Sequence, residues 1–156
     1  MKANSKRLFL LTIVATLILP LSGLGQNGGV AGTWKMNREK SKFASGEGPL
    51  GITIKFEQQE QGLREWLTVQ NSRGERTLDL TYKVDGSTEP AQLDGREVKT
   101  MAKWEGGNLV IVLTESDGSS FTRKFSLSQD GKTLTIAVHH SNPRGETDDT
   151  VVLEKH

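Results

Sequence analysis

Residues 120–140 read SFTRKFSLSQDGKTLTIAVHH. Apolar side chains fall on every second residue on both sides of Asp130-Gly131: Phe121, Phe125 and Leu127 before it, Leu134, Ile136 and Val138 after it. Alternation with period two is the mark of a half-buried strand, and Asp-Gly between two such runs signals a hairpin. A two-residue type I′ turn there pairs Leu127 with Leu134, Phe125 with Ile136, Arg123 with Val138 and Phe121 with His140. A one-residue slip would reverse every face, so these pairs define an inner surface.

The same pattern extends outward along the chain. Alternating segments cover 52–58, 63–70, 76–84, 96–104, 108–115, 120–127, 132–140 and 147–155, with turn signals between most of them. A two-residue turn at Gly106-Gly107 pairs Trp104 with Leu109, Ala102 with Ile111 and Thr100 with Leu113. A three-residue loop at Asp117-Gly118-Ser119 sets Leu113 opposite Arg123 and Glu115 opposite Phe121. A turn at Arg73-Gly74 sets Val69 by Leu78, Leu67 by Leu80 and Glu65 by Tyr82. Residues 86–95 read as a connecting loop. No window carries the apolar spacing of a long amphipathic helix. The expected fold is all-β: a single antiparallel up-and-down barrel of about 8–10 strands.

The inner face has two unlike ends. Trp104, Leu109, Leu127 and Leu134 make one end apolar, whereas Glu115, Arg123 and His140 occupy the other, with Thr100 in the next layer. Inward charges are costly unless paired, hydrated or used. Two readings follow. Either Arg123 and Glu115 form an ion pair at a wet rim, or Arg123 with His140 holds an anionic head group whose tail lies toward Trp104. Tyr82 and Trp104 also point inward, as core or as ligand contacts. Trp66 falls on the outer face. The strand at 108–115 is apolar on both faces, so its outer residues Val110 and Val112 need a cover. The stretch 30–50 is preferred over a second subunit.

Composition narrows the function. The 156 residues contain no cysteine, which removes disulfides, thiol nucleophiles and thiolate metal sites. Met1–Arg7 is basic, residues 8–19 are apolar but for two threonines, and Pro20, Ser22, Gly23 and Gly25 follow. That order is expected of a secretory signal peptide over 1–25, cleaved near Gly25, with an uncleaved anchor as the competing reading. The protein is then secreted or periplasmic, with a flexible start at 26–31, the barrel over 32–156 and no membrane span after processing. Losing Lys2, Lys6 and Arg7 turns the formal charge of +1 into 17 basic against 19 acidic residues, or −2. Neither balance suits nucleic acid. His139 and His140 are adjacent, hence on opposite faces, so no metal site is expected, nor any cofactor. No nucleophile motif is present, and no catalytic residue is assigned.

Ahead of the meander stands Gly32-Thr33-Trp34-Lys35-Met36-Asn37, followed by Ser41-Lys42-Phe43. Gly-x-Trp opening the first strand of a single meander resembles the lipocalin and fatty-acid-binding (calycin) pattern. The longer motif, with Leu127–Leu134, is similar to exported lipocalin-like proteins of environmental bacteria. The resemblance implies a barrel cupping a small hydrophobic ligand, with Gly32 and Trp34 at its floor beneath a basic side chain, Arg123 or Lys155. The Arg-x-Tyr ending of fatty-acid-binding proteins is replaced by Val151-Val152-Leu153-Glu154-Lys155. The expected function is that of an exported, monomeric, non-enzymatic protein binding a small hydrophobic or amphipathic molecule inside the barrel. The alternatives are a ligandless structural or protein-interaction module, and a weak hydrolase or isomerase using Glu115 and His140.

Overall fold

In a computed structural model, which describes residues 29–156, the chain forms ten strands in one antiparallel meander. They are β1 (Gly32–Met36), β2 (Gly51–Gln59), β3 (Gly62–Asn71), β4 (Gly74–Tyr82), β5 (Asp85–Leu93), β6 (Arg96–Glu105), β7 (Asn108–Glu115), β8 (Ser120–Leu127), β9 (Thr133–Asn142) and β10 (Gly145–Lys155). Each strand pairs with its sequence neighbour, except that β4 and β5 do not pair, and β1 joins β10 to bring the two halves together. The result is a nearly closed barrel whose seam lies between β4 and β5. Arg76 and Asp94 form an ion pair across the seam, and Lys83 reaches Glu89 at 2.6 Å. No helix forms among the described residues, and none is long and apolar enough to cross a membrane. The expected signal peptide at 1–25 and residues 26–28 of the flexible start lie outside the described residues.

The β8–β9 and β6–β7 registers match the alternation argument pair for pair, from Leu127↔Leu134 to Phe121↔His140 and from Trp104↔Leu109 to Thr100↔Leu113. The Asp130-Gly131 turn differs in kind. Only Gly131 has positive φ there, and Gly131 N–H bonds Ser128 O at 2.9 Å within a longer loop. Extra residues split evenly between the two strands leave register and parity unchanged.

Two expected registers shift by two residues. The β7–β8 loop is Ser116-Asp117-Gly118, so Leu113 faces Phe121 and Ile111 faces Arg123. The β3–β4 turn is Ser72-Arg73, so Leu67 faces Leu78, and Leu63 faces Tyr82. A two-residue shift preserves the face, so the inner surface survives both corrections.

The segment 86–95 is not a loop. It supplies most of β5, an edge strand that the weak strand formers Gly86 and Pro90 conceal. Proline lacks an N–H and is tolerated where the other side of the strand has no partner to bond. Asp94-Gly95, with φ of 51° and 76°, closes β5 onto β6 in the two-positive-φ turn that hairpins favour.

Residues 37–50 form a strap instead of a cover for β7. Lys42 and Thr150 exchange backbone hydrogen bonds at 2.7 and 2.8 Å, Asn37 N–H bonds Val152 O at 2.8 Å, and Ala44 N–H bonds the Asp149 carboxylate at 2.7 Å. Those bonds tie the strap to β10. On the outer face of β7, Val110 is flanked in register by Lys103 and Lys124, whose aliphatic stems shield apolar neighbours, and it is buried.

Candidate functional site

Alternation sends Arg123 of β8 and Glu65 of β3 into the barrel from opposite walls. Their side chains meet in a two-pronged contact, Nη1 to Oε1 at 2.5 Å and Nη2 to Oε2 at 2.7 Å. Tyr82 of β4 donates its hydroxyl hydrogen to Glu65 Oε2 at 2.8 Å and accepts from Arg123 Nη2 at 3.3 Å. Glu65 is 1% exposed and Arg123 7%. Parallel N–H···O bonds to a carboxylate are the strongest pairing a guanidinium makes, and only such a pairing offsets removing both charges from water. Burial pushes the Tyr82 phenol well above its ordinary range, and the Glu65 carboxylate beside it adds to the rise. For Arg123, burial is the strongest single influence and works to lower the value, but Glu65 and Tyr82 together outweigh it and hold the guanidinium charged.

This triad divides the lumen. On the floor side the barrel is filled by Trp34, Phe56, Leu109, Phe125, Leu134 and Leu153. Phe56 and Phe125 pack edge to face at 5.3 Å, and the Arg123 guanidinium lies 5.3 Å from the Phe125 ring. On the mouth side lies a cavity of about 460 Å³, within the usual range for small-molecule sites. Its apolar wall includes Ile52, Ile54, Leu67, Val69, Phe121 and Val138, and Phe43 with Gly48 and Pro49 brings the strap to its edge. Arg123 lines it from below.

Of the expected ligand contacts, Arg123 stands beside the cavity and Tyr82 in the triad beneath it. Glu115 does not pair with Arg123; it bonds Arg96 at 3.1 Å on the rim, because the revised β7–β8 register carries it past β8 into the loop. His140 packs edge-on to Phe121 at 6.0 Å and makes no contact with Arg123. Thr100 is buried, with its hydroxyl 3.5 Å from Glu89 O on the β5 side. Trp104 sits at the floor beside Val30 and Leu127, on the opposite side of the triad from the cavity, so a tail cannot run from Arg123 toward it. Glu115 and His140 thus have separate partners and do not form an acid–base pair. Among the described residues no cluster of His, Asp and Glu is placed to hold a metal ion.

Trp34 is fully buried, and its indole N–H bonds Val30 O at 2.7 Å. The basic partner is Lys155, with Nζ 5.3 Å from the Trp34 ring, not Arg123. At Gly32, φ is +121°, and a Cβ would stand 3.3 Å from Lys155 Cε. Glycine thus supplies both the backbone angle and the space for the lysine stem.

Glu65 is the residue that the sequence did not single out. Its signal was present: alternation sets it inward beside Tyr82, as it sets Arg123 inward on the opposite wall. Neither charge is tolerable alone, and each is the other's answer.

On the outer face, Trp66 lies beneath the cations of Lys55 and Arg64, at 4.7 and 4.4 Å, and Arg64 also grips Asp79 through two nitrogens. His139 Nδ1 stands 2.8 Å from Asp148 across β9 and β10, and that carboxylate raises the imidazole above its ordinary 6.5. A raised folded value means that the contact stabilises the fold below the unfolded value and fades as pH climbs through the folded one. An NMR titration is expected to put the His139 midpoint above 6.5 and to show it fall in Asp148→Asn. Equal midpoints in the two proteins would refute the coupling.

No protein-family model matches the chain. Mouse cellular retinoic acid-binding protein 2 is 28% identical over 69 residues, 42% of this chain and 50% of that protein, so the chain spans about half the length of this curated relative. Similar solved structures include an abundant heat soluble (SAHS) protein from Ramazzottius varieornatus, at TM-score 0.67 and 13% identity, covering 82% of this chain and 96% of that one. A Schistosoma mansoni fatty acid binding protein in complex with arachidonic acid matches at TM-score 0.63 and 14% identity, over 85% and 99% of the two chains. Apo lipid binding protein 8 from Caenorhabditis elegans matches at 0.58 and 13%, over 82% and 96%. β10 presents Val151 and Leu153 inward where an Arg-x-Tyr ending would stand; here a guanidinium and a phenol still meet in the lumen, but from β8 and β4, around a carboxylate of the chain's own. The fold is a nearly closed, ten-stranded antiparallel barrel of the calycin-like kind, similar to those of these solved structures.

Proposed function

We propose that this chain is an exported carrier that holds one small apolar or amphipathic molecule in the mouth-side cavity. The observation that carries the reading is the division of the lumen. Below the triad Trp34, Phe56, Phe125, Leu134 and Leu153 are fully buried, while the half under the strap leaves about 460 Å³ walled by aliphatic side chains and Phe121. A fold stabilised only by its own core has no need to leave that space, because interiors pack to crystal-like density. The similar folds of proteins named for fatty-acid, lipid and retinoic-acid binding agree with it. The basic, apolar, small-residue order of the first 25 residues supports export.

Native mass spectrometry of protein purified without detergent is expected to reveal a co-purifying small molecule. The emptied protein should bind the uncharged fluorophore N-phenyl-1-naphthylamine and gain thermal stability with it. A protein that carries nothing, leaves the fluorophore dark and melts unchanged would favour the interaction-module reading. N-terminal sequencing of the exported form is expected to begin near Gln26, and a start at Met1 would mean an anchor.

A further inference from the structure

We infer that the cavity selects uncharged ligands and rejects anionic ones, because the protein has already filled its own anion site. This inference rests on the carrier reading above and specifies the chemical class of its cargo. Three arginines share the inner face by register: Arg76 opposite Val69, Arg96 opposite Leu93, and Arg123 opposite Val138. Each holds a carboxylate of the chain: Asp94, Glu115 and Glu65 respectively. The first two pairs are exposed at the rim. The third is buried at the base of the cavity, and there Glu65 takes both prongs of the guanidinium while Tyr82 hydrogen-bonds the same carboxylate.

An incoming carboxylate or sulfonate therefore finds no unpaired cation among the residues that line the cavity. The charged residues lining the cavity are Arg123, matched by Glu65, together with Glu47 and Asp149 at the mouth. An anion at Arg123 would either lie against the Glu65 carboxylate, like charge on like charge, or displace it and leave Glu65, 1% exposed, as a buried, unpaired charge. A neutral molecule meets no such barrier and gains from the aliphatic wall. Glu65 is thus the specificity-determining residue: a built-in carboxylate occupying the place that an acidic ligand would take.

Two matched probe pairs test this at about pH 8, where fatty acids are ionised. N-phenyl-1-naphthylamine is compared with its 8-sulfonate for direct binding, and dodecanol with dodecanoate for displacement of the neutral fluorophore. The wild-type protein is expected to prefer the neutral member of each pair by at least about tenfold. Glu65→Gln frees the guanidinium and should narrow or reverse the preference by raising affinity for the two anions, with little change for the neutral probes. The double variant Glu65→Leu with Arg123→Leu removes the anion site and should keep the neutral preference. Equal or tighter wild-type binding of the anions overturns the selectivity while leaving the carrier reading standing. Binding of neither class overturns the carrier reading and this inference together. Should Glu65→Gln fail to fold, the wild-type comparison and the double variant still decide.

Discussion

Replacing Arg123 by leucine is expected to cost about 3–5 kcal/mol, and replacing Glu65 alone by leucine a similar amount, whereas replacing both should restore most of the loss. The reasoning lies in what each change leaves behind. Arg123→Leu strands a carboxylate that is 1% exposed, with only the Tyr82 hydroxyl to answer it. Glu65→Leu strands a guanidinium over Phe125. The double variant strands neither charge, so the cost of desolvating two ions disappears with their attraction, and what it leaves unpaired is only the Tyr82 hydroxyl, a smaller penalty than a buried ion. Domains are stable by only about 5–15 kcal/mol, so either single change should bring the protein close to its unfolding threshold. Urea unfolding of the wild type, both single variants and the double variant closes the cycle. A coupling of several kcal/mol between the positions is expected, and single-variant losses below about 1 kcal/mol would show that the contact is solvated and contributes as little as an exposed pair.

The same contact shows what was and was not legible in the sequence. Alternation and turn parity are local properties, so faces could be assigned strand by strand. Errors of two residues at the β3–β4 and β7–β8 turns left every face unchanged. The first strand shows in the sequence only through the resemblance carried by Gly32 and Trp34, because five residues are too few for alternation to mark. By contrast, β5 was hidden, since an edge strand has half the pairing demands and accepts Pro90 and Gly86. The choice of partner for Arg123 was also out of reach. Glu115 was the nearest acid that alternation set on the inner face, but β3 and β8 face each other only once the sheet has curled, and curvature is not written in the alternation. Depth failed for the same reason: Trp104 and Arg123 share a face, yet Trp104 lies on the floor side of the plug that Arg123 forms, away from the cavity.

Trp34→Ala is the second change expected to act strongly, destabilising by about 3–5 kcal/mol, the range for truncating a buried aromatic. The residue is fully buried, and its loss opens a void among Phe56, Leu134 and Leu153 that a β-barrel closes poorly, because each wall is fixed by its ladder. It also leaves the carbonyl of buried Val30 without the indole N–H that now bonds it at 2.7 Å. Trp34→Phe separates the two effects: it keeps most of the apolar volume but removes the donor, and should cost about 1–3 kcal/mol. Lys155→Met removes only the cation above the ring. On an exposed side chain that interaction contributes about 0.5–1 kcal/mol, so the variant should stay near wild type. The order Ala, Phe, then the Lys155 change, from largest loss to smallest, is read from denaturant midpoints. The floor and the cavity are separated by the triad, so Trp34→Phe should lower stability without changing the neutral-over-anion preference of the mouth. A shift in that preference would mean that the floor and mouth halves of the lumen are one compartment, and the Arg123–Glu65 plug would no longer explain the selectivity.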